Sequence, residues 1–267
     1  MEPRPLITLI TDFGYKDPFV GIMKGVILTI NPSVQIVDIT HDINPQNILE
    51  AVFAIELSFR SFPHNTIHVA VVDPGVGSER RPLLVVTDNH YFIGPDNGIF
   101  SSIYAMSERL AVYHLTAEHY FLPERSSTFD GRGVFAPVAA WFSKGIDVPK
   151  FGDRISDYVT IPLPVSKITE KDIVEGEVVH IDRFGNLMTN IDIQKIKDLS
   201  GNYTDNNLKV VIKEMEAPLK RYYSEGEDNK LYSLINSFGY LELFVNRGSS
   251  SANFGIIVGE KVRVILM

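Results

Sequence analysis

The sequence predicts an α/β protein in which a mostly parallel sheet with helices on both faces is followed by a smaller antiparallel β-barrel domain. Over residues 6–98, short apolar runs with strand character alternate with segments of helical periodicity, and a polar turn follows each strand-like run. Strands that are apolar throughout are typical of a parallel sheet covered on both faces. After residue 170, strand-like segments separated by Gly and Asn dominate, which indicates a barrel or sandwich.

The first strand is predicted over residues 6–11 and ends at Asp12-Phe13-Gly14. Apolar residues at helical spacing then predict a helix from Phe19 to Ile30, with Asp17 as its N-cap and Pro18 at its first position. A strand over residues 34–38 leads to a second helix, whose apolar face carries Ile48, Val52, Ile55 and Phe59.

The remaining elements of this domain follow the same pattern. A third strand is predicted over residues 67–72, and two further β segments, 83–87 and 90–93, lead to Gly94-Pro95-Asp96-Asn97-Gly98. A helix from Gly133 to Lys144 is expected to carry Pro137 in its first turn, where the ring is tolerated.

A proline-rich stretch from Val159 to Val165 predicts a linker. We therefore expect an N-terminal domain over residues 1–160, a linker over 161–170 and a C-terminal domain over 171–267. The polar segment 214–230 is predicted to be an exposed loop. The strand-like segments of the second domain are 174–181, 208–213, 231–235, 240–245 and 261–266.

Composition and charge exclude several classes of function. The 267 residues carry a formal net charge of -8 and no long Lys/Arg run, which argues against a nucleic-acid partner. The absence of cysteine excludes disulfides and thiolate chemistry, and it fits a reducing compartment. The first residues lack the character of a signal peptide, and no apolar run approaches the length of a membrane span. The expectation is a cytoplasmic protein without a membrane partner.

Four aspartates follow predicted strand ends: Asp12, Asp42, Asp73 and Asp96. Ligands of open α/β sheets bind outside the carboxyl ends of the strands, so a small-molecule site is predicted there. A carboxylate at Asp12 is suited to accept both hydroxyls of a ribose. By itself it fits a turn-forming residue equally well.

Two loops carry candidate catalytic residues. Asp73 opens a glycine-containing loop, and Arg80 follows seven residues later, close enough in sequence to fold back and pair with it. An ordinary surface salt bridge is the alternative. Asp130 precedes a predicted helix and is suited to act as a base, or simply to favour the helix dipole.

Two further motifs suggest a function but also fit an ordinary structural role. His41 and Asp42 suggest a metal, but no second His-rich element at ligand spacing accompanies them, so no metal site is predicted. In the second domain, Phe184 is suited to stack on a purine and Asn186 to bond its edge. A plain β-turn with an exposed Phe is the alternative.

Taken together, these segments resemble the SAM hydroxide adenosyltransferases, which hydrolyse S-adenosyl-L-methionine (SAM) to adenosine and are related to fluorinase and chlorinase. The resemblance covers essentially the whole chain. It rests on Thr11-Asp12-Phe13-Gly14, Asp17-Pro18-Phe19-Val20-Gly21, Asp73-Pro74-Gly75-Val76-Gly77, Gly94-Pro95-Asp96-Asn97-Gly98, Phe184-Gly185-Asn186 and the stretch from Asn236-Ser237 to Gly248.

The resemblance implies a homotrimer whose sites lie between the N-terminal domain of one subunit and the C-terminal domain of its neighbour. It implies that Asp12 holds the ribose hydroxyls, that Asp17 lies near the methionine amino group, and that Asp73 and Arg80 hold the attacking water. No cofactor or metal is implied, since SAM is the substrate. The residues implied to complete the adenosine site are Asp73, Asn186, Ser237, Glu242 and Val245.

The chain departs from this family at one motif. The family usually shows Phe-His-Gly-Arg-Asp, whereas Phe129-Asp130-Gly131-Arg132-Gly133 stands here, so Asp130 replaces an imidazole as the third catalytic candidate. Halide use is not expected, because the halogenases carry Tyr in place of Asp73 and Thr in place of Val76, and a carboxylate repels a halide. The alternatives are a non-catalytic binder of adenosine or SAM, which Asp130 motivates, and a metal-dependent phosphohydrolase, which the acidic strand ends motivate.

Overall fold

The computed structural model describes residues 4–200 and 207–267. The first three residues, with which the predicted N-terminal domain begins, and residues 201–206 lie outside the described chain. The chain divides into two compact units, residues 1–163 and 164–267, and the boundary falls inside the stretch predicted as a linker. No helix of the described residues is long and apolar enough to cross a membrane.

The N-terminal unit is built on a seven-stranded sheet. Its strands are β1 (Leu6–Thr11), β2 (Gln35–Thr40), β3 (Thr66–Val71), β4 (Pro82–Val86), β5 (His90–Pro95), β6 (Ala111–Leu115) and β7 (Gly152–Ile155). Its helices are α1 (Phe19–Ile30), α2 (Ile48–Ser58), α3 (Ser101–Met106) and α4 (Ala136–Ser143).

The sheet is mixed, with the order β2-β1-β3-β5-β4-β6-β7. Pairing is parallel from β2 to β5, which is the part that the alternating pattern predicts, and antiparallel from β5 to β7. The reason is the connection between β4 and β5, where the Thr87 N–H donates to the carbonyl of His90 at 3.0 Å. A turn this short joins only antiparallel strands.

Helices cover both faces of this sheet, as predicted. Alternate residues of β1 point to opposite sides, so Ile7 and Leu9 join the core beneath α1 and α4. Ile10 joins the core beneath α2 and α3. The predicted cap of α1 is wrong, because Pro18 occupies the N-cap position and no side chain caps the helix.

The predicted helix over 133–144 begins instead with one wide π-helical turn, Gly131–Phe135, and α4 follows it. Pro137 lies in the first turn of α4, as expected. Because Pro137 has no N–H to give, the carbonyl of Gly133 is left to accept from the backbone N–H of Leu122 at 2.9 Å. The turn that carries Asp130 is thereby tied to the loop that precedes it.

The C-terminal unit is an antiparallel, nearly closed barrel, as predicted. Its elements are β8 (Lys167–Glu170), β9 (Ile173–Ile181), β10 (Leu187–Asp192), α5 (Ile193–Ser200), β11 (Leu208–Ile212), β12 (Met215–Glu216), β13 (Leu231–Ile235), β14 (Tyr240–Val245), α6 (Ser250–Phe254) and β15 (Lys261–Leu266). The order is β12-β11-β15-β9-β10-β14-β13, with β8 beside β9.

The prediction of an exposed loop over 214–230 is wrong for its first half. The Ser233 N–H donates to the Pro218 carbonyl at 3.0 Å, and the Lys220 N–H donates to the Ser233 carbonyl at 2.7 Å. This segment therefore pairs with β13 and nearly closes the barrel. Its charged residues conceal the signal, because Ala217 and Leu219 alternate inward between them and are buried.

A buried pair of imidazoles lies against the α2 side of the N-terminal sheet. His68 Nδ1 lies 2.7 Å from Thr8 Oγ1, and His68 Nε2 lies 3.2 Å from His90 Nδ1. Burial lowers the pKa of His68 to about 3, and the charge of His90 adds to the shift. The folded protein therefore holds His68 neutral well below the pH at which an unfolded histidine gains its proton.

We expect this pair to make the protein sensitive to acid. Between about pH 6.5 and pH 3 the unfolded chain binds a proton that folded His68 does not. The free energy of unfolding therefore falls by about 1.4 kcal/mol for each unit by which the pH is lowered in this range. Urea unfolding at several pH values will show a weaker loss in His68→Gln than in the wild type, whereas replacing exposed His119 by Gln changes nothing. Equal losses in wild type and His68→Gln contradict the expectation.

Candidate active site

The carboxyl end of the parallel strands opens on a cleft of about 440 Å³. Asp12 and Asp73, which follow β1 and β3, lie on its wall together with Asp130 from the start of the π-helical turn. The other lining residues are Phe13, Phe19, Pro45, Gln46, Val71, Pro74, Val76, Thr128, Phe129 and Gly131.

The structure separates the four strand-end aspartates. Asp12 and Asp73 line the cleft, and Asp42 is exposed away from the cleft lining. Asp96 is buried and accepts from Arg81 Nε at 2.9 Å and from the Val159 N–H at 2.7 Å, so it fixes the segment that ends this unit. Asp96 therefore has a structural role. Its position after a strand does not distinguish it in the sequence from Asp73, which lines the cleft.

Asp12 is held from one side. Its Oδ2 accepts the backbone N–H of Gln46 at 2.8 Å, and Gln46 adopts a left-handed φ of 66° to present that group. Behind Asp12, Thr11 Oγ1 lies 2.8 Å from His41 Nδ1, and His41 Nε2 lies 3.1 Å from Asp38. Both ring nitrogens of His41 therefore face partners inside the fold.

Within residues 4–200 and 207–267, no three His, Cys, Asp or Glu side chains gather in a geometry suited to a metal ion.

Arg80 folds back onto Asp73, as the spacing predicts, and also reaches Asp130. Its Nε donates to Asp73 Oδ1 at 2.9 Å, and its terminal nitrogen bonds Asp73 Oδ2 and donates to Asp130 Oδ2 at 2.7 Å. The side chains of Arg80, Asp73 and Asp130 are 9%, 5% and 7% exposed. We call this carboxylate–guanidinium–carboxylate group the acidic cluster.

The loop that carries Asp73 has little freedom. Gly77 has a φ of 82°, and a side chain there would begin 2.6 Å from the carbonyl of Ser127. The loop therefore packs directly against the segment that leads to Asp130. Ser78 Oγ donates to the carbonyl of Gly75 at 2.7 Å and tightens the turn further.

The electrostatics of the acidic cluster make Asp73 a stronger base than an ordinary aspartate. Burial raises the pKa of Asp73, the hydrogen bond and charge of Arg80 act in the opposite direction, and the charge of Asp130 adds to the rise. Because two buried carboxylates share one guanidinium, the group carries a net negative charge. Such a group can orient a water molecule and accept its proton.

Sequence reasoning missed the apolar wall of the cleft. The rings of Phe13, Phe19 and Phe129 meet edge to face, with centroids 5.3 to 5.8 Å apart. Phe13 and Phe129 each stand next to a candidate aspartate in the sequence, which is the signal that was available. Asp17, in contrast, is exposed just before α1 and does not line the cleft.

One barrel candidate, Glu242, belongs to a second polar group within its own unit. Glu242 on β14 is buried, and it accepts from the Tyr223 hydroxyl at 2.7 Å and from Asn236 Nδ2 at 3.1 Å. Burial, followed by the bond to Glu242, raises the pKa of Tyr223. Tyr223 lies in the segment predicted as a loop, so sequence reasoning missed it.

The turn between β9 and β10 displays Phe184. Asp182 Oδ1 accepts from the backbone N–H groups of Phe184 at 2.9 Å and Asn186 at 2.8 Å, and Phe184 is 75% exposed. Gly185 is required here, since a side chain would begin 2.0 Å from Ser249 Oγ.

Ser237 and Val245 lie at opposite ends of β14. Ser237 is exposed in the turn before the strand, whereas the side chain of Val245 is buried. A ligand can therefore reach the Ser237 hydroxyl directly, whereas Val245 as a whole is only 3% exposed.

Comparison with known proteins finds a family match for each of the two units. The model of the SAM hydroxide adenosyltransferase N-terminal domain matches residues 7–152, and that of the C-terminal domain matches residues 176–263. An (R)-S-adenosyl-L-methionine hydrolase of Methanocaldococcus jannaschii is 36% identical, over 93% of this chain and 92% of its own. A fluorinase of Actinopolyspora mzabensis is 25% identical over 292 residues, covering 98% of this chain and 97% of its own. A crystal structure of a conserved protein from Thermotoga maritima superposes with a TM-score of 0.91 at 32% identity, over 97% of this chain and 99% of that one.

Proposed function

This chain belongs to the SAM hydroxide adenosyltransferase family, and from that premise we propose that it hydrolyses SAM to adenosine and L-methionine. The observation that carries the proposal is the acidic cluster, which brings Asp73, Arg80 and Asp130 together on the cleft wall. The homologue from Methanocaldococcus jannaschii, named (R)-S-adenosyl-L-methionine hydrolase, supports the substrate and favours the R epimer at sulfur.

The reaction we propose is an in-line displacement at C5′. Water attacks C5′, the C5′–S bond breaks, and the sulfur leaves as the neutral thioether of methionine. The proton lost by the water passes to the Asp73 carboxylate, whose raised pKa makes it a stronger base. The leaving group needs neither acid nor metal, so the task of the site is to orient and partly desolvate the water.

The remaining candidates have proposed roles in binding. Asp12 accepts the ribose hydroxyls with the oxygen that Gln46 does not occupy, and Asp17 lies near the amino group of methionine. In a homotrimer, the barrel of a neighbouring subunit supplies the adenosine contacts. Those residues are Phe184, Asn186, Ser237, Glu242 and Val245.

Water rather than halide is the proposed nucleophile. The carboxylate of Asp73 repels an anion. The alignment with fluorinase spans 292 residues and is therefore longer than this 267-residue chain, so fluorinase contains residues that this chain lacks.

The experiment is to incubate the purified protein separately with the R and S epimers of SAM, with and without chloride and fluoride. Chromatography should show adenosine and methionine in equal amounts, more from the R epimer, and no halogenated nucleoside. Light scattering should give the mass of three 30.0-kDa chains. No adenosine above the enzyme-free blank would exclude the proposal.

A second candidate function is binding without turnover, which the position of Asp130 favours. Asp130 is bonded to Arg80 at 2.7 Å, so part of the group that would hold water is engaged by a second carboxylate. Tight binding of adenosine without turnover, together with turnover gained on Asp130→His, would support this candidate. Turnover by the wild type excludes it.

A further inference from the structure

Asp130 faces a second arginine that lies outside the acidic cluster. Arg80 bonds its Oδ2, whereas Arg125 Nε lies 3.6 Å from its Oδ1. That Oδ1 atom is buried and has no hydrogen-bond partner in the described chain. The two oxygens of one carboxylate are therefore approached by two cations from different loops.

Several contacts hold Arg125 in this position. Its guanidinium carbon lies 5.5 Å from the centre of the Phe121 ring, and its Nη1 lies 3.8 Å from Glu118. Its aliphatic stem passes over Gly133, where an added Cβ would lie 3.3 Å from the Arg125 Cγ. Gly133 thus leaves the space that the stem occupies.

Arg125 reaches Asp130 from behind the cleft. It does not line the cleft; it lines a separate depression together with Glu118, Phe121 and Ser127. Its side chain is 43% exposed, whereas that of Asp130 is 7% exposed. A substrate in the cleft would touch Asp130 without touching Arg125.

The charges of the cluster explain why such a cation matters. Asp73 and Asp130 share the single charge of Arg80, which leaves one buried negative charge uncompensated. Burying a charge is costly unless it is paired. Arg125 supplies the missing charge, and the Glu118 carboxylate, which is largely exposed, lies 3.8 Å from its Nη1.

We propose that Arg125 is a positioning residue for the hydrolysis proposed above: it holds the Asp130 carboxylate in place from its Oδ1 side, so that the shared Arg80 and the base Asp73 keep their geometry. The inference rests on that proposed function, and it concerns a residue that acts through Asp130 without contacting substrate.

The test compares Arg125→Gln, Arg125→Lys and a matched control, Arg109→Gln. Arg109 is 90% exposed and lies 3.7 Å from Asp88 in an ordinary surface pair. For Arg125→Gln we expect kcat to fall about tenfold at neutral pH with KM for SAM unchanged, and the acidic limb of the pH–rate profile to move up by about one pH unit. Arg125→Lys should restore most of the lost kcat and most of the wild-type pH–rate profile, and Arg109→Gln should match the wild type.

A second measurement does not depend on activity. The urea midpoint should drop more when Arg125→Gln is made in the wild type than when it is made in Asp130→Asn, because the neutral amide needs no compensating cation. An unchanged pH profile overturns the inference, and so does a loss that is equal at every pH and is not restored by Lys. Equal urea shifts in the two backgrounds also overturn it. A wild type that makes no adenosine rejects the hydrolase proposal instead, and the urea comparison then decides the part played by Arg125.

Discussion

Asp73→Asn is expected to lower kcat for SAM hydrolysis by about 10²- to 10⁴-fold, the range that a general base contributes. The amide keeps the size and the hydrogen-bonding shape of the side chain but cannot accept the proton of the attacking water. It also replaces the ionised acceptor of Arg80 Nε with a neutral one, so the guanidinium loses part of its anchor. KM should change less than kcat, because orientation of water belongs to the reaction step and Asp73 is only one of several residues implied to bind adenosine.

Steady-state assays of Asp73→Asn should be compared with Asp42→Asn. Asp42 also follows a strand of the sheet, but it is exposed and does not line the cleft. We expect Asp42→Asn to keep wild-type kcat. If Asp73→Asn retains activity within about threefold of the wild type, Asp73 is not the base.

Arg80→Met is expected to lower the free energy of unfolding by about 3–5 kcal/mol and to abolish hydrolysis. The side chains of Asp73 and Asp130 are 5% and 7% exposed, so both lose their shared cation while they remain buried. Arg80 also lies over the ring of Phe135, with its guanidinium carbon 5.5 Å from the ring centre, and Met keeps part of that packing.

Urea unfolding of a triple variant separates charge from packing. In Arg80→Met combined with Asp73→Asn and Asp130→Asn, no unpaired carboxylate remains buried, so most of the lost stability should return while activity stays absent. If the triple variant is as unstable as Arg80→Met alone, packing rather than charge accounts for the effect.

Local sequence signals predict much of this architecture. The apolar runs of β1 and β3 and the turns after them place Asp12 and Asp73 at one edge of the sheet. The glycine-containing loop between Asp73 and Arg80 predicts their pairing, because the two residues are seven positions apart and a short loop brings them together. The barrel is predicted for a similar reason, since its strands are short and separated by turn residues.

The features that the sequence did not predict depend on contacts between distant segments. Arg125 lies 3.6 Å from Asp130 in a loop that is tied to the π-helical turn by the bond between the Leu122 N–H and the Gly133 carbonyl, which Pro137 leaves free. The aromatic wall joins Phe13 and Phe129, which are far apart in the chain. Antiparallel pairing at β4 depends on the turn at Thr87, whose polar residues also fit a longer connection.

In the proposed reaction, water attacks C5′ of SAM at the acidic cluster, and hydrolysis in H₂¹⁸O is the decisive test of that step. Mass spectrometry should find one ¹⁸O atom in the adenosine product and none in methionine, because the new bond forms between water and C5′. Asp73→Asn should release labelled adenosine far more slowly than the wild type, because the substitution slows the same step. Adenosine without ¹⁸O, or label in the amino-acid product instead, would contradict the claim.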